Sequence, residues 1–536
     1  MKAISVLRFL KATQRIARWS AAMTGLAVTG LAQATAATTG GYKVEETLLG
    51  PFYWVEGLAG TAPGLISVSA DGRHVAFINH GGDYCQSVGS RICIFVDGHA
   101  NPVAEGSTVH SLALSADGKR LAYAVSQGKK SWVVVDGQTS PVYDRIPFPS
   151  SAPDDLTFSP DGKRFAYLAA KSDGKHTSIW VVVDGREFTG YNGVMNITFS
   201  PDSKRVAYVA EVDKGLSRIS PKDWRFTAVV DGIPGPDYNQ VLGPAFSPDS
   251  KRVVYGALQH GKWSMVVDGQ AGVAYDDLPT DAVIGEQPFG SRDLIPAHWS
   301  KMDGQPDGTY DELGSLNPGL LRFGYAALVV FSADSKHLAY VARNGGKWMV
   351  VEDSKEGPGT LKIGIGSPAI SPDGKRLAYS VKTSSVRPWK VMVDDQEGAE
   401  GFDKMFNPSF SPDGKRVAFA AEKVEFGRMK NWVFVVDGQA GVGNAAIGNW
   451  TFSLDSKHVA YAAQTRQGFS TDYPWGGGGW SVFLDGKAGA EYSVVVPGTL
   501  RFGPDGALEF LAVQNEGHSM GQHHGSLYRV RYTPTP

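Results

Sequence analysis

An all-β chain assembled from about ten similar four-stranded units is what this sequence predicts. Three observations carry the prediction. A phrase of the form F-S-P-D-[GS]-K-R-x-A-Y recurs, with variation, ten times in 536 residues. A second phrase, an aromatic residue followed by V-V-D-G, trails most copies of the first. Glycine is frequent, at 65 residues, and aromatic residues make up 11% of the chain, which suits many short strands joined by tight turns.

The first phrase is clearest as "FSPDGKRFAYLAA" from Phe158, "FSPDSKRVAYVAE" from Phe199 and "FSPDGKRVAFAAE" from Phe410. Its turn aspartates are Asp71, Asp117, Asp161, Asp202, Asp249, Asp334, Asp373, Asp413, Asp455 and Asp505. They are separated by 46, 44, 41, 47, 85, 39, 40, 42 and 50 residues, so eight intervals are ordinary and one is about double. Within a unit, two β-branched or aromatic runs flank S-P-D-G. There proline presets φ, aspartate caps the turn and glycine accepts positive φ, which makes a hairpin. "WVVVDG" supplies a third strand, and its D-G opens a second tight turn into a fourth.

Alternation along the second strand places Val206 and Tyr208 on one face and Ala207 and Val209 on the other. Both faces are apolar, one bulky and one small. Such a sheet needs a neighbour on each side, so the units must fold as a stacked set. The aromatic residue opening the third strand (Trp132, Trp180, Trp263, Trp348, Trp389, Trp432, Trp480) keeps step with the repeat and reads as packing.

The phrase "FSPDGKR-AY" resembles the PD40, or WD40-like, β-propeller repeat seen in the propeller of TolB. It is also similar to the propeller repeats of prolyl oligopeptidase-type peptidases. The resemblance runs from about Leu65 to Tyr532. It implies a β-propeller of about ten four-stranded PD40-type blades, and it implies little about function. The chain departs from both relatives: no stretch corresponds to the α/β domain of TolB or to a peptidase's hydrolase domain.

The repeats divide as residues 43–277 (repeats 1–5), 278–327 (an insertion or a degenerate blade) and 328–533 (repeats 6–10). That division permits two lobes or one large ring. "YWVEGLAGTAPG" from Tyr53 resembles "MVVDGQAGVAYD" from Met265, and the C-terminal "SLYRVRY" reads as a third strand lacking a fourth. An N-terminal strand is therefore expected to complete the last blade. Residues 1–34 read as an export signal: a basic start (Lys2, Arg8, Lys11, Arg15, Arg18), the apolar Ala21 to Ala32, and small-residue cleavage sites ending at Ala34 or Ala36.

A formal net charge of −2 offers no basic excess for phosphates, so no nucleic-acid partner is expected. No later segment is apolar enough to span a membrane as a helix. Cys85 and Cys93, the only two cysteines, can form one disulfide in an oxidising compartment or remain free thiols.

"GHSMGQHHG", Gly517 to Gly525, contains G-x-S-x-G around Ser519. A nucleophile elbow requires a helix after the serine; here a β-rich segment follows. The imidazoles of His518, His523 and His524 suit zinc or copper, but their spacing is not diagnostic. A solvated polar loop is the plainer reading. Asp303, Asp307 and Asp311 in "DGQPDGTYDE" partly match a calcium loop, without its final bidentate glutamate. Tyr473 and Trp475 lie in the glycine-rich "STDYPWGGGGW", where exposed aromatics favour sugar or protein contact.

These features point to an exported, non-enzymatic propeller that binds envelope proteins or a small ligand. Tyr473, Trp475, His518, His523 and His524 are the candidate contacts, and no cofactor is called for. The alternatives are a small-ligand, peptide or glycan binder and a hydrolase whose site is assembled from several blades.

Overall fold

The computed structural model describes residues 34–39, 42–55, 66–80, 85, 91–146, 156–174, 176–212, 225–278, 320–321, 329–364, 368–384, 388–424, 430–465, 479–496, 498–519 and 522–534. Every element assigned among them is a strand. The strands form ten antiparallel sheets in chain order, each of four or more strands. The first strands of successive blades lie side by side, as strands nearest a ring axis must. The chain is a ten-bladed β-propeller.

Blade 5 packs directly on blade 6, which rules out two separate lobes and an eleventh blade between them. Tyr255 and Met265 of blade 5 share a buried cluster with Val329, Phe331 and Tyr340 of blade 6. The N–H of Asp249 donates to Ser335 Oγ across the same junction, at 2.9 Å. Leu320–Leu321, within the insertion, pairs with Val329–Phe331 as an extra strand of blade 6.

Blade 10 closes the ring. Its second and third strands are Leu508–Ser519 and Gln522–Pro534, and its fourth is Tyr42–Val55 from the other end of the sequence. Ala34–Thr39 adds a further edge strand against Tyr42–Thr47. Tyr53–Val55, which open the stretch that resembles a late-blade segment, end this fourth strand. Val494, Leu511, Val513 and Leu527 of blade 10 pack with Val75, Phe77 and Phe95 of blade 1.

Inside the ring, the alternation seen in the sequence decides the packing. Val206 and Tyr208 of blade 4 cluster with Ala166, Leu168 and Val181 of blade 3. Ala207, on the opposite face, clusters with Phe246 and Val253 of blade 5. Bulky side chains thus fill against small ones across the junction, which is how interiors reach close packing. A T-shaped aromatic pair marks many junctions, such as Tyr143 with Tyr167, Tyr191 with Tyr208, and Tyr238 with Tyr255.

The S-x-D-[GS]-K-R turn forms a clasp. In blade 4, Ser200 Oγ donates to Asp202 Oδ1 at 2.6 Å, and the N–H of Lys204 donates to the same oxygen at 3.2 Å. The N–H of Arg205 donates to Ser200 Oγ at 2.9 Å. Arg205 Nε then reaches Asp231 Oδ2 in the V-D-G turn of its own blade, at 2.9 Å. Its Nη1 donates to the carbonyls of Ser250 and Lys251 in the next blade, and its guanidinium lies over Phe246 at 5.1 Å. Asp231 and Gly232 both have positive φ, 53° and 80°, the paired left-handed geometry that selects D-G in a two-residue hairpin.

Candidate functional site

The two faces of the ring differ in what their backbone leaves available. The face carrying the S-P-D-G and V-D-G turns is internally satisfied. Asp161, Asp334 and Asp455 are each held down to about 2, first by the hydroxyl of the preceding serine and then by the N–H of the following lysine. Asp71, Asp117, Asp202, Asp249, Asp373 and Asp413 are also lowered. These carboxylates are ionised and already committed to their own turns, so this face offers a ligand few free groups.

The opposite face carries the connections from second to third strand and from blade to blade. Here blade 10 departs from the others. Its second, third and fourth strands have 12, 13 and 14 residues, against 6 and 5 for the second and third strands of blade 4. The surplus extends the sheet about 15 Å past the ring, at about 3.3 Å per residue. Within "GHSMGQHHG", residues 517–519 and 522–525 are therefore strand. Ser519 ends one strand and Gln522 begins the next, so the helix that a nucleophile elbow needs is not there.

The extension brings together residues distant in sequence. His518 stands directly opposite His523, and Gly517 opposite His524. On the other side of the same strand, Trp54 is in register with His523, and Tyr53 with His524. The sequence reading missed Tyr53 and Trp54 as neighbours of the histidines. The signal was present in the expected closing strand, but register decides which residues meet and the repeat does not set it. Tyr473 and Trp475 lie outside the described residues, as do Asp303, Asp307 and Asp311.

Cys85 and Cys93 are joined in a disulfide. Both are fully buried and pack against Phe77, Phe95 and Leu49 at the closing junction. The insertion leaves blade 5 from an anchored base. Asp276 accepts from Lys262 Nζ and from the N–H of Gly345 in blade 6. Asp277 lies 3.1 Å from Arg343 Nη2; burial raises its carboxyl above the usual range against that attraction.

Along the axis, several first strands bulge at matching places: Val109/Ser111, Met195/Thr198, Leu242/Ala245, Phe406/Ser409 and Ile447/Trp450. Bulges re-aim side chains and unpair backbone, so the wall built by these first strands is irregular; the third-to-fourth strand pairs of blades 5, 7 and 9 also shift register. Among the residues whose side chains are described, no three His, Cys, Asp or Glu come together to hold a metal ion. No described helix is long and apolar enough to cross a membrane.

No protein-family model matches the chain, and no curated protein matches it. Solved structures similar to it include a eukaryotic initiation factor, with 13% identity over 73% of this chain and 78% of that one and a TM-score of 0.34. TolB from Acinetobacter baumannii matches with 11% identity over 61% of this chain and 79% of its own, at a TM-score of 0.24. The β-propeller domain of the Trilobed protease from Pyrococcus furiosus matches with 12% identity over 63% of this chain and 97% of its own, at 0.26. Likenesses this low say nothing about activity, and the ten-bladed assignment rests on the chain's own sheet topology.

Proposed function

We propose that this protein is an exported, non-enzymatic propeller that holds another macromolecule of the cell envelope on its loop face. The observation that carries the reading is the asymmetry of the ring. One face is a lattice of short, self-satisfied turns; the other bears the long connections and the projecting sheet of blade 10. Variable segments on a rigid scaffold are where binding residues concentrate. The leader-like residues 1–34 supply the reason for an envelope location.

Two measurements test this reading. The mass of the N-terminus of protein recovered from cells should correspond to a start at Thr35 or Ala37. Retention of residues 1–34 would remove the export argument. Photo-crosslinkers placed at Lys129 or His260, both exposed between second and third strands, should trap one reproducible envelope protein. The same label at the exposed Lys204 on the turn face should not. Equal trapping from both faces would overturn the assignment. A small-ligand, peptide or glycan site in the channel is the second reading, favoured by the matching bulges of the first strands. Ligand protection of the channel with no macromolecule trapped would support it.

A further inference from the structure

On blade 7 the inner rim of the loop face carries two charges of one sign with no counter-charge. Lys362 opens the first strand of that blade and Lys382 ends its second, Leu377–Lys382. They stand directly opposite each other on the antiparallel ladder. Opposed positions bring Cβ atoms to about 4.5–5.5 Å, where like charges are destabilising. Both side chains are half-buried. Among the described residues, neither lysine has a carboxylate partner.

Other blades treat the same two positions differently. Blade 2 opposes Thr108 to Ser126, blade 4 opposes Gly193 to Glu211, and blade 8 opposes Lys404 to Glu422. None of these sets like charges together, and in blade 8 the lysine Nζ lies 3.5 Å from the glutamate Oε2. On blade 6, Arg343 of the second strand is matched by Asp277 at 3.1 Å. The blade 7 pair cannot escape by slipping along the strand. Ile363 and Val381, the next opposed pair, are buried against Val341, Trp348 and Val350 of blade 6, and a buried face fixes the register. A repulsion held in place in this way is relieved by an anion that reaches both ammonium groups.

We propose that Lys362, Lys382 and the neighbouring Leu361 form a docking site for an acidic polypeptide segment of a partner protein, a proposal that rests on the reading of the loop face as the binding face. The lysines call for the anion, and Leu361 selects the polypeptide. Its N–H donates to the Lys382 carbonyl at 3.0 Å, which ties it to the pair, and it is 43% exposed. A leucine held in water beside two cations suits a chain that carries carboxylates and an apolar side chain together. An inorganic anion would use the charges alone. Lysine is a point charge without the planar fork of arginine, so two lysines match two carboxylates spaced along one segment. The whole chain has a formal net charge of −2, so this attraction is local and is not the broad basic surface that a nucleic acid requires.

The test uses the full mature chain and a fluorescent peptide of glutamates flanking one leucine, with binding read by anisotropy and stability by thermal unfolding. The peptide should bind the parent and raise its unfolding midpoint. Lys362→Ser and Lys382→Ser should each weaken binding about fivefold, and Leu361→Ser should weaken it by less. Lys415→Ser, on the turn face, should leave it unchanged. Raising salt from about 50 mM to about 300 mM should weaken it severalfold. Without peptide, Lys382→Glu should raise the midpoint by about 1 °C, because it gives blade 7 the sign pattern of blade 8. Lys362→Glu should do the same from the other strand. A lowered midpoint in both charge reversals would overturn the proposal, as would a parent that does not bind the peptide or binding that ignores the lysine variants. Inorganic phosphate that matches the midpoint rise given by the peptide would overturn the choice of a polypeptide. Crosslinkers at Lys129 or His260 separate the two readings. An envelope protein trapped equally by the parent and by both serine variants would sink this site and leave the loop face standing. Lysine-dependent peptide binding with nothing trapped would support the site and remove the envelope partner.

Discussion

Blade junctions in this ring come in two designs, and their difference shows what a propeller repeat must conserve. At the junctions from blade 2 to 3, 3 to 4, 4 to 5, 7 to 8 and 8 to 9, an arginine binds its own V-D-G aspartate at 2.8–2.9 Å. It also donates to carbonyls of the next turn and covers an aromatic ring there. Leaving blades 1, 6 and 9 the residue is histidine: His74, His337 and His458 each bind the equivalent aspartate at 2.7 Å. Imidazole keeps the contact within the blade and lacks the fork that reaches the next one. Blade 5 sits between these designs: Arg252 is 3.8 Å from Asp268 and 3.5 Å from the Ser335 carbonyl. That looser clasp lies where the insertion leaves the ring. The closing junction has neither design; there Arg529 of the third strand donates to the Arg73 carbonyl at 2.6 Å.

Breaking the closing junction should have the largest effect, because it is held by a strand from the far end of the chain. Leu49→Asp puts a carboxylate into a position that is 7% exposed and should cost about 4 kcal/mol or more. Thermal unfolding should show a lower midpoint, and limited proteolysis should release the N-terminal strand. An unchanged midpoint would mean that closure contributes little. Next comes the disulfide at the same junction. Replacing Cys85 and Cys93 together by alanine should cost about 2–3 kcal/mol, read by denaturant unfolding against the oxidised parent.

The two ordinary designs are separated by smaller changes. Arg205→Ala should lose about 2 kcal/mol, since a charged donor, two carbonyl contacts and a ring contact go together. Arg205→Lys should recover only part of it, because an ammonium cannot bridge the aspartate and the next turn in the same way. Full recovery by lysine would show that charge alone matters at the clasp.

The smallest effect is one of pH, and it should set the His337 junction of blade 6 apart from the arginine ones. The hydrogen bond to Asp353, helped by Asp334 and Glu352 nearby, raises the His337 pKa. A raised folded-state pKa means the contribution is complete below the unfolded value, about 6.5, and is lost as pH rises through the folded one. His337→Gln should therefore differ from the parent in unfolding midpoint near pH 6 and converge with it as pH rises. The His337 side chain is 41% exposed, so the gap should stay under about 1 kcal/mol. At the acid end both designs share one behaviour. The turn aspartates of blades 1 to 9 are lowered, so their stabilisation is present above the unfolded carboxylate value and lost as pH falls from about 4 towards about 2.

Much of the candidate site was legible before the structure, though not its geometry. The histidines of "GHSMGQHHG" stood out as a cluster, and a closing N-terminal strand was expected from the missing fourth strand after "SLYRVRY". What could not be read was that the hairpin continues as strand to Ser519 and Gln522. Polar, glycine-rich residues look like loop, because strand propensity depends on cross-strand partners supplied by tertiary context. The pairing of Trp54 with His523 joins positions at opposite ends of the chain, and no local signal sets it.

The sequence by itself determined the unit. Proline, aspartate and glycine at fixed offsets dictate the turns, and alternation of bulky with small apolar residues dictates that each sheet be covered on both faces. These are short-range requirements, repeated often enough to be unmistakable. Only the tertiary structure decided the number of blades in one ring, the direct contact of blade 5 with blade 6, and the register that sets Trp54 against His523. Those outcomes depend on how small per-blade rotations accumulate to closure and on contacts between residues hundreds of positions apart. A repeat that is nearly the same in every blade carries little information about either.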